Sequence, residues 1–96
     1  MTATTPDTDL LQAAGDEVLE HLRSLLRLDT RNPPGNERRA ADYLKSVFDR
    51  EGIPVSILAL DSNRTNVVAR LKGTGRKRPL LIMGHTDVVT VDSTIK

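Results

Sequence analysis

The segment Leu80-Leu81-Ile82-Met83-Gly84-His85-Thr86-Asp87-Val88-Val89 constrains this chain more than any other. An unbroken apolar run has no polar face to turn toward water, so it reads as a strand covered on both sides. It ends in Gly84, then carries His85 and Asp87 to a sheet edge, two positions apart and therefore on one side of extended chain. In open α/β sheets ligands bind beyond the carboxyl ends of strands. A neutral imidazole there can ligate a metal, and a carboxylate two positions on can hold the ring through its other nitrogen. His-x-Asp is a short pattern that also arises by chance, and by itself it reads first as a plain hydrogen-bonded strand end.

The preceding residues supply two helices. From Asp16 the apolar positions Val18, Leu19, Leu22, Leu25 and Leu26 recur at helical spacing, opposite Glu17, Glu20, Arg23 and Arg27. His21 falls at the edge of that stripe and reads as a surface histidine. Asn32-Pro33-Pro34-Gly35 stops the helix. Asn36 is the expected N-cap of a second helix that opens at Glu37 and buries Ala40, Ala41, Leu44, Val47 and Phe48. Gly52 fits the left-handed position after its end, with Ile53 packing back.

Beyond Pro54 the period changes to that of strands. Val55 to Leu60 and Asn66 to Lys72 are separated by a polar turn, and Leu80 to Met83 form the third strand after a loop at residues 73–78. The middle strand is expected to pair antiparallel with the third. Arg76-Lys77-Arg78 reads as a solvated loop, because no wider basic face or interleaved aromatic accompanies it.

Ninety-six residues allow one small domain. With one Tyr, one Phe and no Trp, its core is aliphatic and modest. A net charge of +1 steers the chain to neither nucleic acid nor membrane, and the absence of cysteine excludes disulfides and thiolate zinc sites. No apolar run approaches the ~20 residues of a membrane span. The Thr-rich, acidic start lacks the features of a signal peptide, so a cytoplasmic location is expected. Residues 1–13 read as a flexible arm and residues 14–96 as the structured part.

Several of these pieces, in order, resemble a known family. Leu25-Leu26-Arg27-Leu28-Asp29-Thr30 is followed by Asn32-Pro33-Pro34-Gly35-Asn36-Glu37, then Arg64-Thr65-Asn66-Val67-Val68-Ala69, then Gly84-His85-Thr86-Asp87-Val88-Val89. From about Glu17 to Val91 the chain is similar to the opening of the dinuclear-zinc metallopeptidases. Those include acetylornithine deacetylase, succinyl-diaminopimelate desuccinylase, aminoacylase and the glutamate carboxypeptidases. The resemblance implies an α/β fold, the N-terminal portion of a zinc-peptidase catalytic domain: two helices, then a three-stranded part of a mixed sheet.

It also implies a metal-dependent hydrolase that cleaves amide or peptide bonds of N-acyl amino acids or small peptides. His85 takes the place of the first zinc ligand, and Asp87 that of the catalytic-site carboxylate orienting it. The cofactor would be two zinc ions, with cobalt or manganese as substitutes. The family's bridging Asp, its Glu pair, a further carboxylate and a distal His have no match here. Residues 14–96 are therefore expected to be an incomplete part of the catalytic domain, lacking the dimerisation domain and inactive in isolation. The full-length form would act on a small-molecule or peptide substrate, in some cases as a homodimer. The competing reading is a non-enzymatic small protein that works by self-association or partner binding, prompted by an apolar strand with too little cover.

Overall fold

A computed structural model of the chain describes residues 7–90. The order is α1 (Thr8–Leu26), β1 (Arg31–Asn32), α2 (Arg38–Arg50), β2 (Val55–Asp61), β3 (Arg64–Ala69) and β4 (Val88–Val89). β2 and β3 form an antiparallel hairpin, and β1 and β4 a separate parallel pair. The class is α/β with two helices, as expected. The arrangement of strands differs.

Asp7 starts α1: its backbone is extended and its carboxylate accepts the Asp9 N–H at 2.8 Å. Residues 8–13 are therefore helical, although composition alone places them in a flexible arm. Residues 1–6 of that arm lie outside the described residues. The apolar stripe of α1 has the expected helical spacing but no layer above it. Val18, Leu22 and Leu26 remain 66, 50 and 72% exposed. Contact with α2 runs through His21, whose Nδ1 lies 2.7 Å from the Tyr43 hydroxyl and whose Nε2 lies 3.2 Å from Glu17. Tyr43 donating and Glu17 accepting suit a neutral imidazole protonated at Nε2. His21 is partly exposed, as expected, and also bridges the two helices.

The entry of α2 departs from expectation. Asn36 has φ +54°, in the left-handed region, and the N-cap is Glu37. Glu37 makes no side-chain cap bond, since its carboxylate is engaged by Arg64. The open N–H of Arg38 is satisfied instead by the Asn63 carbonyl at 3.2 Å, from the tip of the hairpin. The exit follows expectation. Gly52 has φ +70°, Ile53 N–H donates to Phe48 O at 2.9 Å, and Gly52 N–H donates to Asp49 O at 3.1 Å. Those two bonds satisfy helix-end carbonyls in the Schellman arrangement.

α2 packs on the hairpin. Ala40 and Ala41 are its buried residues, and they are small enough to let helix and strands approach closely. Leu44, Val47 and Phe48 are half-buried around them, facing Val55, Ile57 and Val67 of the strands. Cα partners run from Val55↔Ala69 to Asp61↔Arg64, with an irregularity between Ala59 and Asp61. Asp61 accepts the Asn63 N–H at 2.9 Å and tightens the turn. β3 consequently opens at Arg64 rather than Asn66.

The third strand expected at Leu80–Met83 is not formed, and β3 pairs with β2 rather than across residues 73–78. Leu80, Leu81, Ile82 and Met83 stand 84, 79, 85 and 83% exposed. The apolar face of α2 is already spent on the hairpin, and α1 stands away. An uncovered strand would gain only ladder bonds that water replaces at nearly equal free energy. Strand pairing begins further on, at β4. A radius of gyration of 16.8 Å, against about 13 Å for a compact domain of this size, shows the same shortage of cover.

Two glycines separate backbone strain from crowding. A Cβ on Gly52 meets open space, so Gly52→Ala bears only the left-handed penalty, about 1 kcal/mol. Gly35 has φ +106°, and its Cβ would run into the Glu37 carboxylate and lie 2.8 Å from Arg64 Nε. Urea titrations followed by helix ellipticity should show the larger loss for Gly35→Ala. Equal losses would show that the Glu37–Arg64 pair does not crowd the turn.

Candidate functional site

The site begins with Thr30. Its side chain is buried, its hydroxyl donates to the Thr86 carbonyl at 2.7 Å, and its own carbonyl accepts the Val88 N–H at 3.1 Å. These bonds extend the β1–β4 pairing, in which Arg31 lies opposite Val88 and Asn32 opposite Val89. They bring the Pro-Pro-Gly turn against the segment that follows the apolar run. Asp29 and Arg31 fix the approach on the other side: Arg31 donates from Nε at 2.9 Å and from Nη2 at 2.8 Å to the two carboxylate oxygens. That fork holds the Asp29 carboxyl well below the usual carboxylate range.

His85 and Asp87 are brought together as expected. His85 Nδ1 lies 3.0 Å from Asp87 Oδ1 and 2.9 Å from the Asp87 carbonyl. Both partners are acceptors, so Nδ1 carries the proton and the lone pair of the neutral ring sits on Nε2. The His85 side chain is 85% exposed and that of Asp87 30%, so the imidazole stands in solvent while the carboxylate is partly sheltered.

Four more residues gather around the pair: Asn32, Arg64 and Thr65, expected in turns, and Glu37, expected to open the second helix. Asn32 donates its amide to Asp87 Oδ2 at 3.1 Å. Arg64 donates Nε to both Glu37 oxygens, at 3.2 and 3.0 Å, and its Nη2 lies 3.8 Å from Asp87 Oδ2. Glu37, Thr65, Gly84, His85 and Asp87 are among the residues that line one open cavity of about 160 Å³. Thr65 Oγ1 is buried there with no hydrogen-bond partner among the described residues. Their one signal in the sequence is position: all four lie in the segments that carried the resemblance, Asn32 to Glu37 and Arg64 to Ala69.

The Asp87 carboxyl is held below its ordinary value of 3.8, first by the Asn32 amide and then by His85, against the opposing effect of partial burial. The donor set suits one imidazole ligand with its orienting carboxylate. Among the described residues no group of three or more His, Cys, Asp or Glu side chains is placed to hold a metal ion.

A short α/β scaffold presents an exposed imidazole braced by a carboxylate. Comparison with known proteins carries it further. The chain is 34% identical over 82 residues to N-formyl-4-amino-5-aminomethyl-2-methylpyrimidine deformylase of Halalkalibacterium halodurans, covering 82% of this chain and 19% of that protein. It is 36% identical over 74 residues to a probable succinyl-diaminopimelate desuccinylase of Staphylococcus aureus, covering 76% and 17%. It is 33% identical over 82 residues to a peptidase M20 domain-containing protein of Schizosaccharomyces pombe, covering 82% and 20%. The chain belongs to the M20 metallopeptidase family. It spans about a fifth of the length of these relatives. No family model matches it, and no solved structure does.

The depressed Asp87 carboxyl has a definite sign. Its folded value lies below its unfolded one, so the stability it contributes is complete above the ordinary Asp range. That contribution is lost as pH falls through the folded value. A carbon-13 titration of the Asp87 carboxyl should give a midpoint below 3.8. Asn32→Ala and His85→Ala should each raise that midpoint. A midpoint that neither substitution moves would mean that neither the amide nor the imidazole holds the carboxylate.

Proposed function

We propose that these residues form part of the active site of a metal-dependent hydrolase acting on amide bonds of N-acyl amino acids or small peptides, with zinc as the metal. The observation that carries this reading is the His85–Asp87 contact at 3.0 Å, which leaves Nε2 of this cavity-lining residue without a hydrogen-bond partner among the described residues. His85 would hold the metal through Nε2. Asp87 keeps the proton on Nδ1 and raises the basicity of the ligating nitrogen. The bound zinc would supply water activation and carbonyl polarisation. The cavity wall of Glu37, Thr65 and Asn66 gives a polar surface for the substrate amide. A catalytic zinc needs about three protein ligands, so the others would come from outside the described residues. Substrates of the kind named for the relatives, a formylated amine or a succinylated amino acid, fit this chemistry.

A second reading is favoured by one observation: the apolar run Leu80–Met83 is exposed over its whole length. A chain acting alone with that surface would associate through it. Sedimentation of the 96-residue chain decides between them. A sharp monomer with a cooperative melt counts against association as its role.

The hydrolase reading is tested on the product isolated from source cells at its native mass. Chelation should abolish cleavage of N-formyl, N-acetyl and N-succinyl amino acids, and zinc should restore it. In that product His85→Ala should remove turnover and lower zinc content, and Asp87→Ala should cost roughly 10–100-fold in activity or metal affinity. Activity that survives chelation, or a His85→Ala form with normal turnover and zinc, would overturn the reading.

A further inference from the structure

We propose that Asn32 is a positioning residue that acts on His85 through Asp87, an inference that rests on the reading of His85 as a metal ligand. The Asp87 carboxylate has two oxygens and three neighbours competing for them. Oδ1 faces His85 Nδ1 at 3.0 Å, Oδ2 accepts the Asn32 amide at 3.1 Å, and Arg64 Nη2 waits 3.8 Å from that same Oδ2. The order of these distances matters. A guanidinium that closed on the carboxylate would take both oxygens in a fork and turn Oδ1 away from the imidazole. Two restraints prevent this. Glu37, whose side chain is only 12% exposed, holds Arg64 by its Nε, and the Asn32 amide occupies Oδ2 with a neutral donor that can engage only one oxygen.

Asn32 is well placed for this work. Its backbone belongs to β1, opposite Val89, two residues past Asp87, so the amide and the carboxylate are set by one strand register. The Pro-Pro-Gly turn that follows is tied back by the Gly35 N–H to the Arg31 carbonyl at 2.7 Å, which fixes the strand end that carries Asn32. The turn and the strand end are therefore two halves of one device that, together with the Asp87 carbonyl 2.9 Å from Nδ1, biases which nitrogen of His85 is offered to a ligand.

The test is run on the metal-free 96-residue chain, with nitrogen-15 shifts of His85 read at a pH where the ring is neutral. Wild type should show mainly the Nδ1–H form. Asn32→Ala should lower the ratio of Nδ1–H to Nε2–H by about threefold to tenfold, the worth of one lost hydrogen bond. Asn32→Asp, which keeps the shape but repels Oδ2 and drives the carboxylate toward Arg64, should lower it at least as far. The Val88 amide, bonded to the Thr30 carbonyl, reports whether the strand pairing survives. An unchanged ratio in either variant with the Val88 signal intact overturns the inference. Loss of the Val88 signal in both variants also overturns it, since Asn32 would then be a strut of the strand pair. Adding zinc to the wild-type chain separates the two readings. A shift of His85 Nε2 supports its role as ligand, and the effect of Asn32 on the metal-free ring stands or falls independently.

Discussion

Two hydrogen bonds made by Thr30 determine whether there is a site. Its hydroxyl grips the Thr86 carbonyl and its carbonyl grips the Val88 N–H, so the residues flanking Asp87 are fixed from both sides. Everything polar at the site hangs from that clip: Asn32 is two residues after Thr30, and His85 and Asp87 flank Thr86. A small, buried residue bonded through both side chain and backbone is suited to the task because it fills no space that the carboxylate needs. The two strands joined here are only two residues each, too short to hold themselves by ladder bonds alone.

The molecule divides into two parts with different sources of stability. The α2–hairpin unit is held by aliphatic packing around Ala40 and Ala41 and by a well-made helix exit. The site is held by a chain of charges and amides, Glu37–Arg64–Asp87–Asn32, in which each carboxylate has a donor. Arg64 joins the two parts, since it opens β3 and reaches both Glu37 and Asp87. Exposed ion pairs contribute little to stability, and these should be valued for geometry instead. The long apolar stretches of α1 and residues 80–83 add little, because nothing among the described residues covers them.

What was legible in the sequence followed local rules. The apolar period of α2, the Gly52 exit and the strand at Val55 depend on near neighbours, and the structure agrees with each. The His85–Asp87 contact was legible for the same reason, because two residues apart in extended chain must face one way. Failures arose where a residue had a distant partner. Asn36 fits an N-cap only if the chain enters the helix from extended backbone, and the demand of Glu37 for Arg64 changed that entry. Leu80–Met83 looks like a strand to any local rule, but a strand needs a neighbour and a covering layer. Asn32 and Arg64 gave no sign beyond their place in the matching segments, since a turn residue and a hairpin residue meet a carboxylate only after the chain has closed.

That closure has a kinetic side. The clip joins residues 56 positions apart, while the contacts between α2 and the hairpin span much shorter separations. Closing a loop of that length costs about 3.5 kcal/mol in chain entropy beyond a constant, with only two short strands to offset it. The helix and hairpin can therefore assemble first and wait, and the carboxylate and imidazole come into register last. The most easily opened part of the molecule is then the part that holds the His85–Asp87 pair, so an incoming ligand that bridges the two sides would act as its missing fastener.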